Sequence, residues 1–216
     1  MSDVQEVTVA IGEALQAPAF LRLPAAAIGL VLFAHGSGSS RHSPRNAYVA
    51  DVLADGEIAS LLLDLLTPDE EAIDARTAQL RFDIDLLARR LVAATQWTRA
   101  DPNLKNLALG YFGASTGAAA ALVAGAASSD DIKAIVSRGG RPDLAGGHLA
   151  HVTAPTLLIV GGADFPVIDL NRRAAAQITA PCELTIVPGA THLFQEPGSL
   201  AQVARLASAW FRRYFK

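Results

Sequence analysis

Apolar residues fall along this chain in short unbroken runs, and the stretches between them carry apolar positions at helical spacing. The runs at 28–34, 58–65, 107–112, 132–137, 155–160 and 183–187 are rich in Val, Ile and Leu. They lack the polar alternation of a sheet with one wet face, so they predict strands buried on both sides. Helices are predicted between them, near 44–55, 82–98, 115–127, 143–150, 167–179 and 198–214. The opening from Val4 to Arg22 has the character of a β-hairpin. Strand after helix in this rhythm implies parallel pairing through right-handed crossovers: an α/β fold whose mostly parallel central sheet has helices on both faces. The last helix carries Val203, Leu206, Trp210, Phe211 and Tyr214 at helical spacing, a stripe expected to pack into the core.

Composition narrows the functional classes. With 216 residues, 51% of them hydrophobic, the chain can bury a substantial core and reads as one domain over 1–216, because no Pro/Ser linker or charge block divides it. The formal charge of −3 is spread among scattered Lys and Arg, so nucleic acid is not an expected partner. Met1–Glu6 lacks the basic start of a secretory leader, and no apolar stretch approaches the roughly 20 residues that span a bilayer. Cys182 is the single cysteine, which excludes an internal disulfide; a cytoplasmic, membrane-free protein is expected. There is no H-E-x-x-H, no paired cysteines and no ligand spacing among the histidines, so neither metal nor cofactor is expected. The sequence leaves the oligomeric state open.

The chemistry lies in three loops. Gly113-Ala114-Ser115-Thr116-Gly117 follows a predicted strand and precedes an alanine-rich helix. A serine on such a sharp turn stands exposed at the sheet's end, and small residues on either side let strand and helix approach. A serine nucleophile needs a base, an acid to orient that base, and donors for the oxyanion. Asp164 follows the strand ending at Gly161-Gly162, and His192 follows the last strand in Gly189-Ala190-Thr191-His192. Alone, Asp164 reads as a turn or helix N-cap residue, and a lone histidine in a glycine-bearing loop as a solvated one. The chain order Ser115, Asp164, His192, each after a strand, favours catalysis. Asp169 is a weaker acid candidate inside a helix. Of the other histidines, His35 belongs to an upstream loop with His42 beyond it, and His148 and His151 flank a helix-like segment. The expected oxyanion donors are the amides of Thr116 and of Ser37, in His35-Gly36-Ser37-Gly38; a flexible or phosphate-cradling loop is the weaker reading of that run.

With these residues in place the chain resembles the α/β-hydrolase superfamily, and within it the minimal, lidless dienelactone-hydrolase-like group, over about residues 4–214. The resemblance implies Ser115 as nucleophile, His192 as general base and then acid, Asp164 as its orienting partner, and Ser37 and Thr116 as oxyanion donors. It departs from that group in carrying serine where true dienelactone hydrolases carry cysteine, so the namesake's lactone is not transferred. Only about 17 residues separate the strands ending at Ser137 and starting at Pro155, too few for a lid domain. The expected function is a serine hydrolase of small carboxylic esters or lactones. An acyltransferase or perhydrolase with the same triad, or a non-catalytic binding protein of this fold, are the alternatives. Arg41, with Arg45 after it, and Arg138 and Arg141 stand near the catalytic end; they either bind an acidic group of the substrate or pair with acids such as Asp64, Asp69, Glu70 and Asp143.

Overall fold

A computed structural model of the chain describes residues 3–215. Eight strands form one sheet: β1 (Val4–Gly12), β2 (Leu15–Arg22), β3 (Gly29–Ala34), β4 (Ile58–Leu63), β5 (Ala108–Ala114), β6 (Ile132–Arg138), β7 (Thr156–Gly161) and β8 (Cys182–Val187), in the order β1-β2-β4-β3-β5-β6-β7-β8. The expected hairpin is β1–β2; β2 also runs antiparallel to β4, and every later pairing is parallel. Every residue of β3, β4 and β7 is buried, as their unbroken apolar runs require.

The described residues also form six α-helices, α1 (Pro44–Asp55), α2 (Pro68–Thr77), α3 (Ile84–Ala100), α4 (Thr116–Ala127), α5 (Phe165–Ala175) and α6 (Ser199–Tyr214), all but α2 packed against the sheet. Alternation along the strands sorts the core into two faces. Val31, Phe33, Phe112, Ala134 and Val136 share a core with Val49 and Leu53 of α1 and with Val203, Trp210 and Phe211 from the expected stripe of α6. Leu30, Leu32, Leu109, Tyr111 and Ile135 meet α3 and α4 on the other face.

Three expectations need correction. The helix expected near 143–150 is a 3₁₀ segment, Pro142–His151, broken at Gly146, where φ is 52°. Helix α5 begins two residues earlier than the expected 167 and ends at Ala175, short of 179. Helix α2 lies outside the predicted set. Its sequence, PDEEAIDART, buries only Asp74, so it has no apolar stripe to betray it. What fixes its start is a capping box: Thr67 Oγ1 accepts the Glu70 amide at 3.2 Å while Glu70 Oε2 accepts the Thr67 amide at 2.8 Å.

Helix α4 approaches the ends of β3 and β5 closely. A Cβ on Gly117 would fall inside the contact radius of the Ala34 and His35 carbonyl oxygens, and one on Gly113 would collide with the backbone of Ala118. These obstacles are backbone atoms and cannot swing aside. Gly117→Ala is therefore expected to destabilise the protein by more than about 2 kcal/mol, read as a lower urea midpoint at unchanged slope. A midpoint within error of the parent's would show that the approach has slack.

Candidate active site

Ser115 joins β5 to α4 with φ 52° and ψ −121°, a left-handed conformation that a side chain tolerates only under constraint. The constraint is visible: its amide donates to the Arg138 carbonyl at 3.3 Å and its own carbonyl accepts the Arg141 amide at 3.0 Å. A serine at a helix N-cap ordinarily spends its hydroxyl on the first turn, but Ser115 makes no such side-chain bond. Its Oγ stays uncommitted to α4. The Ser115 Cβ faces Gly36, where an added Cβ would lie only 3.0 Å away.

Asp164 occupies the equivalent place before α5, and it too makes no capping bond with its side chain. Its Oδ2 lies 2.7 Å from His192 Nδ1. The two loops that carry this pair are laced by backbone: the Gly162 amide donates to Val187 O at 2.8 Å and the Ala163 amide to Ala190 O at 2.9 Å. The acid is enclosed and the imidazole is not, with side-chain exposures of 12% and 38%, so His192 presents its Nε2 edge outward. Beyond it, Thr191 Oγ1 donates to Glu196 Oε1, a bond that holds the Glu196 carboxyl below the usual carboxylate range. Phe194, 1% exposed, anchors the loop in the core.

Ser115 and His192 meet the same turn. Gly139, just after β6, would with a Cβ touch the His192 carbonyl oxygen at 3.0 Å and reach within 3.6 Å of Nδ1, while its neighbour Arg138 holds the Ser115 amide. Among the described residues no hydrogen bond joins Ser115 Oγ to His192; in unliganded sites of this kind that bond is often long and tightens when substrate binds. Asp169 sits elsewhere, exposed and paired with Arg172 at 3.1 Å.

Ser37 and Thr116 touch. The Ser37 amide donates to Thr116 Oγ1 at 3.0 Å, and the two hydroxyl oxygens are also 3.0 Å apart. As the first residue of α4, Thr116 has an amide that no helical carbonyl accepts. His35 fixes the loop: its Nε2 accepts the Leu65 amide at 3.2 Å, which leaves Nδ1 to donate to Gly36 O at 3.0 Å. Beside this loop opens a cleft of about 320 Å³ that includes Ser37–Ser40 and Thr116. Its far wall is α2 and the turn C-terminal to it, with Glu71, Asp74 and Arg81. Burial, and after it the charge of Asp64, pushes the Glu71 carboxyl up. Arg81 Nε donates to Asp74 Oδ2 at 2.6 Å. Sequence reasoning missed this wall with α2 itself; the Thr67-x-x-Glu70 capping signature is the signal that could have located it.

The arginines differ. Arg41 is held by Asp64, whose Oδ1 also accepts the Arg41 amide at 2.6 Å. Arg141 makes two bonds of 2.8 Å to Asp143. Arg138 has no acidic partner among the described residues and is 7% exposed. Cys182, half-buried at the amino end of β8, has its thiol pushed up to about 11, chiefly by burial.

Comparison with known proteins agrees with this fold. A crystal structure of a dienelactone hydrolase from Anabaena variabilis is 56% identical to the chain, with a TM-score of 0.97, covering 100% of this chain and 99% of that one. Est1E from Butyrivibrio proteoclasticus superposes with a TM-score of 0.80 at 15% identity, covering 97% and 98%, a likeness of fold. A Mycobacterium tuberculosis protein named, provisionally, as a phosphoribosyl transferase is 57% identical over 207 residues, which are 96% of this chain and 46% of that protein. The chain thus spans about half the length of the curated relatives it matches. The model of the dienelactone hydrolase family matches residues 46–215, and on that match, with the α/β-hydrolase sheet and the elbow at Ser115, the chain belongs to the dienelactone hydrolase family.

Proposed function

We propose that the chain is a serine hydrolase of small carboxylic esters or lactones. The observation that carries this reading is the 2.7 Å contact between His192 Nδ1 and Asp164 Oδ2, formed by a carboxylate that forgoes its capping role. With Nδ1 donating to Asp164, the neutral imidazole has its lone pair on Nε2. His192 Nε2 takes the Ser115 proton as Oγ attacks the substrate carbonyl, and the negative charge moves to the carbonyl oxygen. The Thr116 amide receives that oxyanion, and the Ser37 amide joins it by exchanging the Thr116 hydroxyl for the stronger acceptor. Collapse expels the alcohol, which leaves with the proton from His192. A water then gives its proton to His192 as it attacks the acyl-Ser115 ester, and collapse releases the acid as Ser115 Oγ leaves with the proton from His192.

The site is open to solvent on the side where larger relatives insert a lid, since residues 139–155 between β6 and β7 form a turn, a 3₁₀ segment and a short connection. Water therefore competes well as acyl acceptor, which favours hydrolysis over acyl transfer or perhydrolysis. Phosphoribosyl transfer, the activity in the name of the Mycobacterium relative, draws less support: that protein is about twice the length of the matched part. A fluorophosphonate probe is expected to label this chain once, on Ser115, as located by peptide mass spectrometry, and to stop hydrolysis of p-nitrophenyl acetate in proportion. Turnover that survives full labelling, or labelling at another serine, would exclude the assignment.

A further inference from the structure

Two arginines on one face of the sheet, near the elbow, lack the carboxylate that the fold gives to others. Arg138 closes β6 opposite Ala114, and its carbonyl holds the Ser115 amide. Ala134 and Val136 of the same strand belong to one core cluster with Val49, Ala50 and Leu53 of α1 and Val203, Ala204 and Ala207 of α6, so alternation turns Arg138 toward the face that α1 and α6 cover. Arg45 is the second residue of α1, and its charge is felt there: burial first, and Arg45 second, bring the Arg138 guanidinium down to about 10. Among the described residues Arg138 Nη1, Arg45 Nε and Asn46 Oδ1 are all buried without a hydrogen-bond partner. Elsewhere the fold supplies acids: Arg41 has Asp64, Arg81 has Asp74, Arg141 has Asp143, and the equally buried Arg90 has Glu70 at 2.6 Å. Among the described residues neither Arg45 nor Arg138 forms an ion pair.

A buried guanidinium within the field of a second, half-buried one is repelled by it and has lost its hydration, a standing cost that a bound anion removes. We propose that Arg138 and Arg45, at the amino end of α1, hold a dianionic phosphate monoester group of the ester substrate beside Ser115. The charge count selects phosphate: a carboxylate would leave one of the two guanidinium charges uncompensated, whereas a phosphate dianion balances both and offers each planar guanidinium a pair of oxygens. The positive end of the α1 dipole adds to the same field. Asn46 Oδ1 provides an acceptor for a hydroxyl next to that group. This inference rests on the hydrolase reading for the words "of the ester substrate", but the anion site itself is tested without turnover.

The test titrates inorganic phosphate into the Ser115→Ala protein by calorimetry at low ionic strength, with acetate as the monocarboxylate comparison. Saturable one-to-one phosphate binding is expected, with acetate at least about tenfold weaker. Arg138→Met and Arg45→Met, each added to that background, are expected to weaken phosphate by at least about tenfold. Arg45 is only half-buried, so its variant remains informative if Arg138→Met folds poorly by circular dichroism. Phosphate binding that is absent, that survives Arg45→Met unchanged, or that is weaker than acetate binding overturns the proposal. Loss of melting temperature in Arg138→Met at full phosphate affinity also overturns it, because Arg138 is then structural. Failure of the hydrolase reading has a separate signature: normal phosphate binding with no phosphonate label on Ser115.

Discussion

Ser115→Ala is expected to lower kcat/KM for p-nitrophenyl acetate by at least about 10³-fold, down to whatever the oxyanion donors and binding alone provide. The magnitude reflects the groups that the alanine leaves behind. His192 and Asp164 keep their contact, and the amides of Ser37 and Thr116 keep their places, but no oxygen remains on the enzyme to accept the acyl group. Water would have to attack directly, unpositioned. Stability should move little, because the Ser115 hydroxyl caps nothing in α4. The strained backbone at φ 52° stays equally unfavourable for alanine. The measurement is a paired one: steady-state rates, and a thermal melt that shows the variant folded. A folded variant with turnover within tenfold of the parent would remove Ser115 from the mechanism.

The sheet was legible because its strands are buried on both faces, so their apolar runs have nothing to alternate with. The elbow was legible because Gly113 and Gly117 mark a backbone crossing that leaves no room for a Cβ. Asp164 and His192 could be ordered along the chain, yet their pairing could not be read from spacing; 28 residues separate them, and it takes the β7–β8 pairing with the bonds from Gly162 to Val187 and from Ala163 to Ala190 to bring their loops together. Helix α2 escaped because it lies on the surface with acids on most sides, and periodicity sees only helices that bury a stripe. With it went Glu71, Asp74 and Arg81, which wall the cleft beside the oxyanion loop. The arginines show the same limit from the other side. Arg41, Arg138 and Arg141 look alike in sequence, and folding separates them: two find carboxylates and one does not, which is a property of the neighbours and not of the residue.

Asp164→Asn tests the link on which the proposed chemistry turns. The amide is nearly isosteric with the carboxylate, so the loops joined at Gly162 and Ala163 should hold and the fold should survive. What changes is the proton. An asparagine that presents its NH₂ to His192 requires Nδ1 to accept, which places the hydrogen on Nε2, where the base should have its lone pair. The imidazolium formed during attack also loses the adjacent negative charge that stabilises it. Both effects fall on kcat, and a loss of about 10³- to 10⁴-fold is expected, with KM nearly unchanged because Asp164 is mostly enclosed behind the imidazole and touches no substrate. Asp169→Asn is the matched comparison. Asp169 is 63% exposed and its partner is Arg172, so its loss should change kcat by less than about twofold. Reversed sensitivities, with Asp169→Asn inactive and Asp164→Asn active, would move the acid onto α5 and require His192 to turn away from the partner it has in this structure.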